Sequence, residues 1–367
     1  MNSYIGVDLH YNQLTYHKIS RLADGTLDRE KGVIPTADIL DKFTPLLNDR
    51  THICVEASTC TYTFIEALKS YSASIHVINP LGFSELYCTG KKTDKIDAKK
   101  LANRIKTHIE DNDPEDGFPD VYIPDRDVQN LRSLFTSYKN VNKQIVAARN
   151  RIKGFFRSKF LNVTASEISK NIERLLQFVK ANEYEIMQIN MLCDQLNLYK
   201  SQKEQIKKMV IELGQSRFPA EIERLTGIPG IGLLSASGLM ADIADISRFR
   251  NHKKLVSYLR SAPRVDSSNA VTKTGKISKR GRKLSFSLLL QGIPHYKRSN
   301  PQLAEFYDRK CNGKSKGKVR AAIVRKVIVS IYYMLKNNEL YKYSNSELHA
   351  KKMGKKCENL KKNRAAA

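Results

Sequence analysis

The spacing of apolar residues changes once along this chain, and that change limits the folds open to it. Up to about residue 80 the apolar runs are short. Ser3–Leu9 (SYIGVDL) reads as a buried strand, and Asn12–Ser20 alternates well enough for a second, followed by a turn at Ala23-Asp24-Gly25. Thr51–Glu56 and Ser74–Ile78 read as further strands, with Thr61–Lys69 helical between them. From Asp127 the period becomes helical: Leu131, Leu134, Tyr138, Val141, Ile145, Ala148, Ile152 and Phe155 recur at threes and fours. A second helical stretch is expected from about Ser166 to Leu213, ended by a break at 214–219. The expected class is therefore α/β followed by α: a mixed-sheet domain over 1–125, a long helical coiled-coil segment over 126–215, a mainly helical domain over 216–345 and a basic tail over 346–367. The paired long helices suit either self-association or packing within one chain.

Charge is distributed as unevenly as hydropathy. The 367 residues carry a formal net charge of +26, and the stretch from Ala270 to the end holds 25 Lys and Arg against 5 Asp and Glu. Such a surplus suits a polyanionic partner, because neutralising phosphates releases counterions. No apolar stretch is long enough to span a bilayer, and the N-terminus lacks a basic-then-apolar leader, so the expectation is a cytoplasmic protein with no membrane partner. The six cysteines form no CxxC pair, which argues against a zinc site.

Four carboxylates stand out by position. Asp8 and Glu56 each end an expected strand, and Asp94 and Asp97 are three apart on one face of an expected basic helix, Asp94–His108. Strand ends of one sheet converge, and hard oxygen ligands of this kind suit Mg²⁺, with Mn²⁺ as the other candidate. Any one of these acids could equally be structural, Asp94 as a helix cap for instance. Lys91, Lys92 and Lys95 beside them are candidates for phosphate binding.

The basic half offers two more motifs. Thr226–Gly232 (TGIPGIG) is a glycine-rich turn leading into an expected helix, Leu233–Ala241; it resembles the hairpin of a helix-hairpin-helix element, making Gly230 and Gly232 candidates for backbone contact with a nucleic-acid phosphate. Ser267 and Ser268 lie in an expected polar loop between Arg264 and a basic run, with Lys273, Lys276, Lys279, Arg280, Arg282 and Lys283 as further nucleic-acid contacts. A serine nucleophile needs flanking charge to stabilise an attacked phosphate, but two serines in a loop carry little weight alone.

In order along the chain, GVDLH, CVEAS, VINP and KKTDKIDAKKLA resemble the N-terminal domain of the DEDD transposases, a domain similar to the RuvC resolvase and to RNase H-like folds. LTGIPGIG, FRNHKKLVSYLRSAPR, the serine pair and GKISKRGRKLSFSLL are similar to the same family's C-terminal transposase domain, a layout shared with the Piv DNA invertases. The resemblance implies Mg²⁺ bound by Asp8, Glu56, Asp94 and Asp97, and a serine nucleophile that forms a covalent phosphoserine link to DNA. It implies donor and target DNA as substrates, a structured guide RNA as partner, and a homo-oligomer, dimer or tetramer, in which acidic and serine sites meet. The nucleophile falls on Ser267 or Ser268; the family's usual glycine after the serine is replaced by Asn269. The alternatives are a hydrolytic RuvC-like nuclease, which needs no serine, and a nucleic-acid-binding protein without catalysis.

Overall fold

The computed structural model describes residues 2–79, 93–113, 117–268, 271–278 and 281–354, without the side chains of 264–268, 271–274 and 276. The chain divides into two compact units, Met1–Ile123 and Pro124–Ala367.

The first unit is built on a five-stranded mixed sheet. Its strands are β1 (Ser3–Leu9), β2 (Gln13–Arg21), β3 (Leu27–Pro35), β4 (Thr51–Glu56) and β5 (Ser74–Ile78), in the order β3-β2-β1-β4-β5. β1 pairs antiparallel with β2 and parallel with β4, so a hairpin ribbon joins a parallel edge. Strand β3 was not expected from sequence. Its residues are largely exposed, so LDREKGVIP shows no buried face, and it is held by backbone pairing to β2. Helix α1 (Thr61–Leu68) links β4 and β5, and α2 (Asp94–Asp111) follows.

Alternation along β1 sorts the two faces. Ile5, Val7 and Leu9 join Phe43, Phe64 and Leu68 in one core. Tyr4 packs with Cys54, Ile78, Leu101 and Ile105 in another, which places α2 over the face carrying even-numbered β1 residues. Gly6 lies on that face. A Cβ there would sit 2.1 Å from the Ala98 carbonyl oxygen and 2.3 Å from the Ala102 nitrogen, so the helix backbone reaches the strand only because residue 6 has no side chain.

The second unit is helical apart from one hairpin. Helices α3 (Arg126–Ser158), α4 (Ala165–Phe178) and α5 (Glu183–Arg217) enclose a core of Ile145, Ile152, Phe156, Ile168, Leu176, Ile189 and Leu196. The apolar seam of α3 is thus filled by its own chain. The expected second long helix is two: α5 restarts at the Asn182 cap, whose side chain exchanges hydrogen bonds with Glu185 in a capping box. The expected break at 214 is also displaced. Gly214 lies inside α5, where a Cβ would be 2.3 Å from Ser237 Oγ, so this glycine serves close helix packing.

The chain then forms α6 (Pro219–Thr226), α7 (Leu233–Ile243), α8 (His252–Tyr258), the hairpin β6 (Pro263–Ser268) and β7 (Val271–Ile277), α9 (Lys283–Gln291), α10 (Ile293–Ser299), α11 (Pro301–Cys311), α12 (Lys316–Asn337) and α13 (Ser346–Lys352). The apolar helix α12 runs through the largest core with Ile323, Val324, Val327, Ile328 and Ile331. Among the described residues, no helix is long and apolar enough to cross a membrane.

Candidate functional site

Asp8 and Glu56 are placed by register. β1 and β4 are parallel with Val7 opposite Val55, so the residue following each stands at the same end of the sheet. Both share parity with Gly6 and Cys54, and therefore the face that α2 covers. The first turn of α2 carries Asp94 and Asp97. The cap of this helix is Thr93, whose hydroxyl accepts from the Ile96 amide, so Asp94 is not engaged as the cap.

Asp8, Asp94 and His10 offer ligand atoms all within 4.8 Å of one another. His10 Nε2 lies 3.6 Å from Asp8 Oδ1 and 3.7 Å from Asp94 Oδ2. Sequence reasoning passed over His10, although it stands two residues beyond Asp8 in GVDLH; only the chain's course past the strand end brings it beside α2. Asp97 is 4% exposed, and its buried Oδ1 has no hydrogen-bond partner among the described residues. A carboxylate oxygen taken from water without a partner costs several kcal/mol, roughly, unless a cation sits nearby. The converging donors, carboxylate oxygens of Asp8 and Asp94 with the His10 imidazole, suit a divalent cation; Asp97, in the same first turn of α2, and Glu56, at the neighbouring strand end, are not part of that three-residue group. Lys95, on the same first turn, is exposed, while Lys91 and Lys92 lie outside the described residues.

In the second unit the serines end a strand instead of occupying a loop. Ser267 pairs with Thr272 and Ser268 with Val271 across the β6–β7 hairpin. The alternation of polar and apolar residues here is too weak to distinguish strand from loop in sequence. Arg264, Lys273 and Lys276 lie on the same two strands, while Lys279 and Arg280 fall outside the described residues.

The foot of the hairpin is tied by charge. Asp242, 2% exposed, receives Arg282 Nε at 2.5 Å and Ser285 Oγ at 2.6 Å. Arg132 donates to the carbonyls of Ala241 and Asp242, and Arg248 to those of Asp242 and Ile243. Gly281, at φ +102°, brings the chain against α8: a Cβ would be 2.5 Å from the Tyr258 carbonyl oxygen, and the Arg282 amide donates to that oxygen at 2.7 Å. Arg282 is thus committed to Asp242, whereas Lys283 remains exposed. Sequence gave no sign of Asp242, which sits in an apolar helix 40 residues before its partner.

The glycine turn joins α6 to α7 as expected. Gly230 has φ +97°, and a Cβ there would be 2.8 Å from His295 Cβ. Gly232 caps α7 with no side-chain bond to its amides. On the carbonyl side, Lys352 Nζ donates to Thr226, Ile228 and Ile231 oxygens at 2.7, 3.2 and 2.8 Å. Burial lowers the Lys352 pKa from its ordinary value. One ammonium from α13 therefore fixes three carbonyls of the turn.

Comparison with a family model falls within this second unit. Residues 222–308, from α6 into α11, match the sequence model of the transposase IS116/IS110/IS902 family. The chain is 24% identical over 301 residues to a probable family 20 transposase of Pseudomonas aeruginosa, covering 79% of this chain and 82% of that protein. It is 25% identical over 299 residues to the pilin gene-inverting protein of Moraxella bovis, covering 78% and 80%. It is also 25% identical over 126 residues to a transposase for insertion sequence element IS1111A of Coxiella burnetii, covering 33% and 35%. These similarities, two of them spanning both units, support DNA transposase or recombinase activity for the chain.

Proposed function

We propose that this protein cuts and rejoins DNA to move an insertion sequence, using a RuvC-like acidic site in its first unit and a serine nucleophile in its second. The observation that carries this reading is the convergence of Asp8, His10 and Asp94, with Asp97 in the same first turn of α2 keeping a buried Oδ1 that has no hydrogen-bond partner among the described residues, in a chain whose residues 222–308 match a transposase family. Asp8, Glu56, Asp94 and Asp97 hold Mg²⁺ or Mn²⁺ and orient the scissile phosphate. A bound divalent cation supplies Lewis-acid polarisation of a phosphoryl oxygen.

One of Ser267 and Ser268 attacks phosphorus. Its hydroxyl proton leaves to a base, the P–O bond to the departing 3′ or 5′ oxygen breaks, and a phosphoserine ester forms. A second DNA hydroxyl later reverses the exchange. Lysines and arginines of the hairpin stabilise charge on the phosphate. Donor and target DNA are the substrates. A structured guide RNA supplies sequence choice by pairing, so that the protein reads mainly shape and charge, by analogy with other guided systems. Since acidic and serine sites belong to separate units, a homo-oligomer that brings them together across subunits completes the reading.

The test is a denaturing-gel assay for a covalent protein–DNA adduct, with Mg²⁺, donor DNA and transcripts from the DNA flanking the gene. The wild type forms an adduct. The Ser267→Ala/Ser268→Ala double variant forms none, and Asp8→Asn forms none while remaining folded. Cleavage without an adduct in the wild type would replace this reading by hydrolysis at the acidic site alone.

A further inference from the structure

Helix α12 presents Arg325, Lys326, Val329, Ser330 and Tyr333 along one side, where they line a groove of about 590 Å³ with the start of α11 and residues 339–343. None of these residues belongs to the acidic site, the serine hairpin or the glycine turn. The groove combines an exposed aromatic face with a surplus of cations. Tyr333 is 44% exposed, yet its ring is held upright: it meets Tyr332 edge-on at 5.3 Å, and its hydroxyl is 3.2 Å from His252 Nδ1. Lys326 Nζ lies 4.7 Å from the centroid of the Phe306 ring, which holds the ammonium at the rim. Three cations, Arg325, Lys326 and Lys342, face a single acid, Glu339. Arg325 also donates to the Ser261 carbonyl at 3.2 Å, two residues before the serine-bearing strand begins.

We infer that this groove binds an unpaired stretch of nucleic acid, with a base stacked on Tyr333 and the adjoining phosphates on Lys326, Arg325 and Lys342. The inference rests on the nucleic-acid function proposed above and deepens it. A base face is available for stacking only when the nucleotide is unpaired; a duplex offers edges and backbone. A preset aromatic beside cations is therefore suited to single strands, and the volume fits a nucleotide-sized ligand. A second groove of about 570 Å³ on α10, α11 and the start of α12 is lined by Lys297, Arg298, Lys316 and Arg320. Lys297 there is paired with Asp308, which leaves three cations without that competitor to follow a strand backbone.

The experiment is fluorescence anisotropy on the full chain. The probes are a labelled 12-nucleotide mixed-sequence RNA, the same sequence as DNA, and the corresponding DNA duplex. Tyr333→Ala weakens single-strand binding about tenfold through lost base stacking and Lys326→Ala weakens it about threefold through one lost phosphate contact, while each shifts duplex binding less than about twofold because a duplex offers no base face to the groove. Tyr333→Phe, which retains the ring, stays near wild type. RNA and DNA strands binding alike point to stacking and backbone contacts, and a preference for RNA adds recognition of the 2′-hydroxyl. Equal loss for strand and duplex, or no loss for either, overturns the groove assignment while leaving the proposed function intact. A wild type that binds none of the three probes overturns both.

Discussion

The two units position their candidate site residues by opposite physical means. In the first, main-chain geometry does the work: strand register aligns Asp8 with Glu56, and the missing side chain at Gly6 lets α2 lie close enough to deliver Asp94 and Asp97. In the second, buried polar contacts do it. Asp242, Arg282 and Ser285 tie the foot of the serine hairpin, and the Lys352 ammonium ties the glycine turn. Backbone geometry of the first kind is little affected by salt or pH, whereas ties of the second kind depend on each partner keeping its charge and its hydrogen bonds.

The largest effect that can break this comparison is on chemistry. Asp97→Asn is expected to lower strand cleavage by at least about a thousandfold, at the scale of removing one group that stabilises transition-state charge. Its melting temperature should stay equal or rise, because the neutral amide replaces a buried carboxylate whose Oδ1 has no hydrogen-bond partner among the described residues. A large fall in melting temperature would make Asp97 a structural residue.

Next is Gly6→Val, which forces side-chain atoms into the α2 backbone and should destabilise the first unit by about 3 kcal/mol in urea unfolding. An unchanged urea midpoint would show that the close approach does not hold the helix. Asp242→Ala strips Arg282 and Ser285 of their shared acceptor and should cost about 2 kcal/mol, because Arg282 is itself part-exposed and can recover water. Limited proteolysis should then cut near the hairpin foot before the rest of the unit. Lys352→Met removes one donor from three carbonyls and is expected to cost about 1 kcal/mol, read from the thermal transition.

The smallest expected effect is a pH dependence in the first unit. Burial, then Lys99, Arg29 and Lys31, lower the pKa of His17, and its Nε2 is buried without a hydrogen-bond partner among the described residues. The unfolded chain therefore takes up this proton first as pH falls. Stability is fully present above the ordinary histidine value of about 6.5 and declines as pH drops below it. His17→Gln should flatten the stability curve between about pH 7 and 5, and an equally steep curve in that variant would remove His17 as its cause.

How much of this was legible beforehand varies with the length scale of the interaction. Strands β1, β2, β4 and β5, helix α2 and the turn into α7 follow from local alternation, helical spacing and glycine placement. Asp8, Glu56, Asp94 and Asp97 could be named from strand ends and a shared helical face, and the family resemblance gave them a common purpose. What escaped was long-range or encoded in backbone pairing. Strand β3 has no apolar stripe to signal it, and the serine strand is defined only by its partner β7. His10 acquires meaning only once α2 folds back onto β1.

By itself, then, the amino-acid order determined an α/β unit followed by a basic helical one, four candidate acids and two candidate serines, because periodicity and charge are properties of neighbouring residues. Tertiary structure alone decided that Gly6 is the contact point of strand and helix. It also decided that Arg282 belongs to Asp242, that Lys352 belongs to the glycine turn, and that Tyr333 stands over a cationic groove. The first three join groups tens to more than a hundred residues apart, where only packing and desolvation choose the partner.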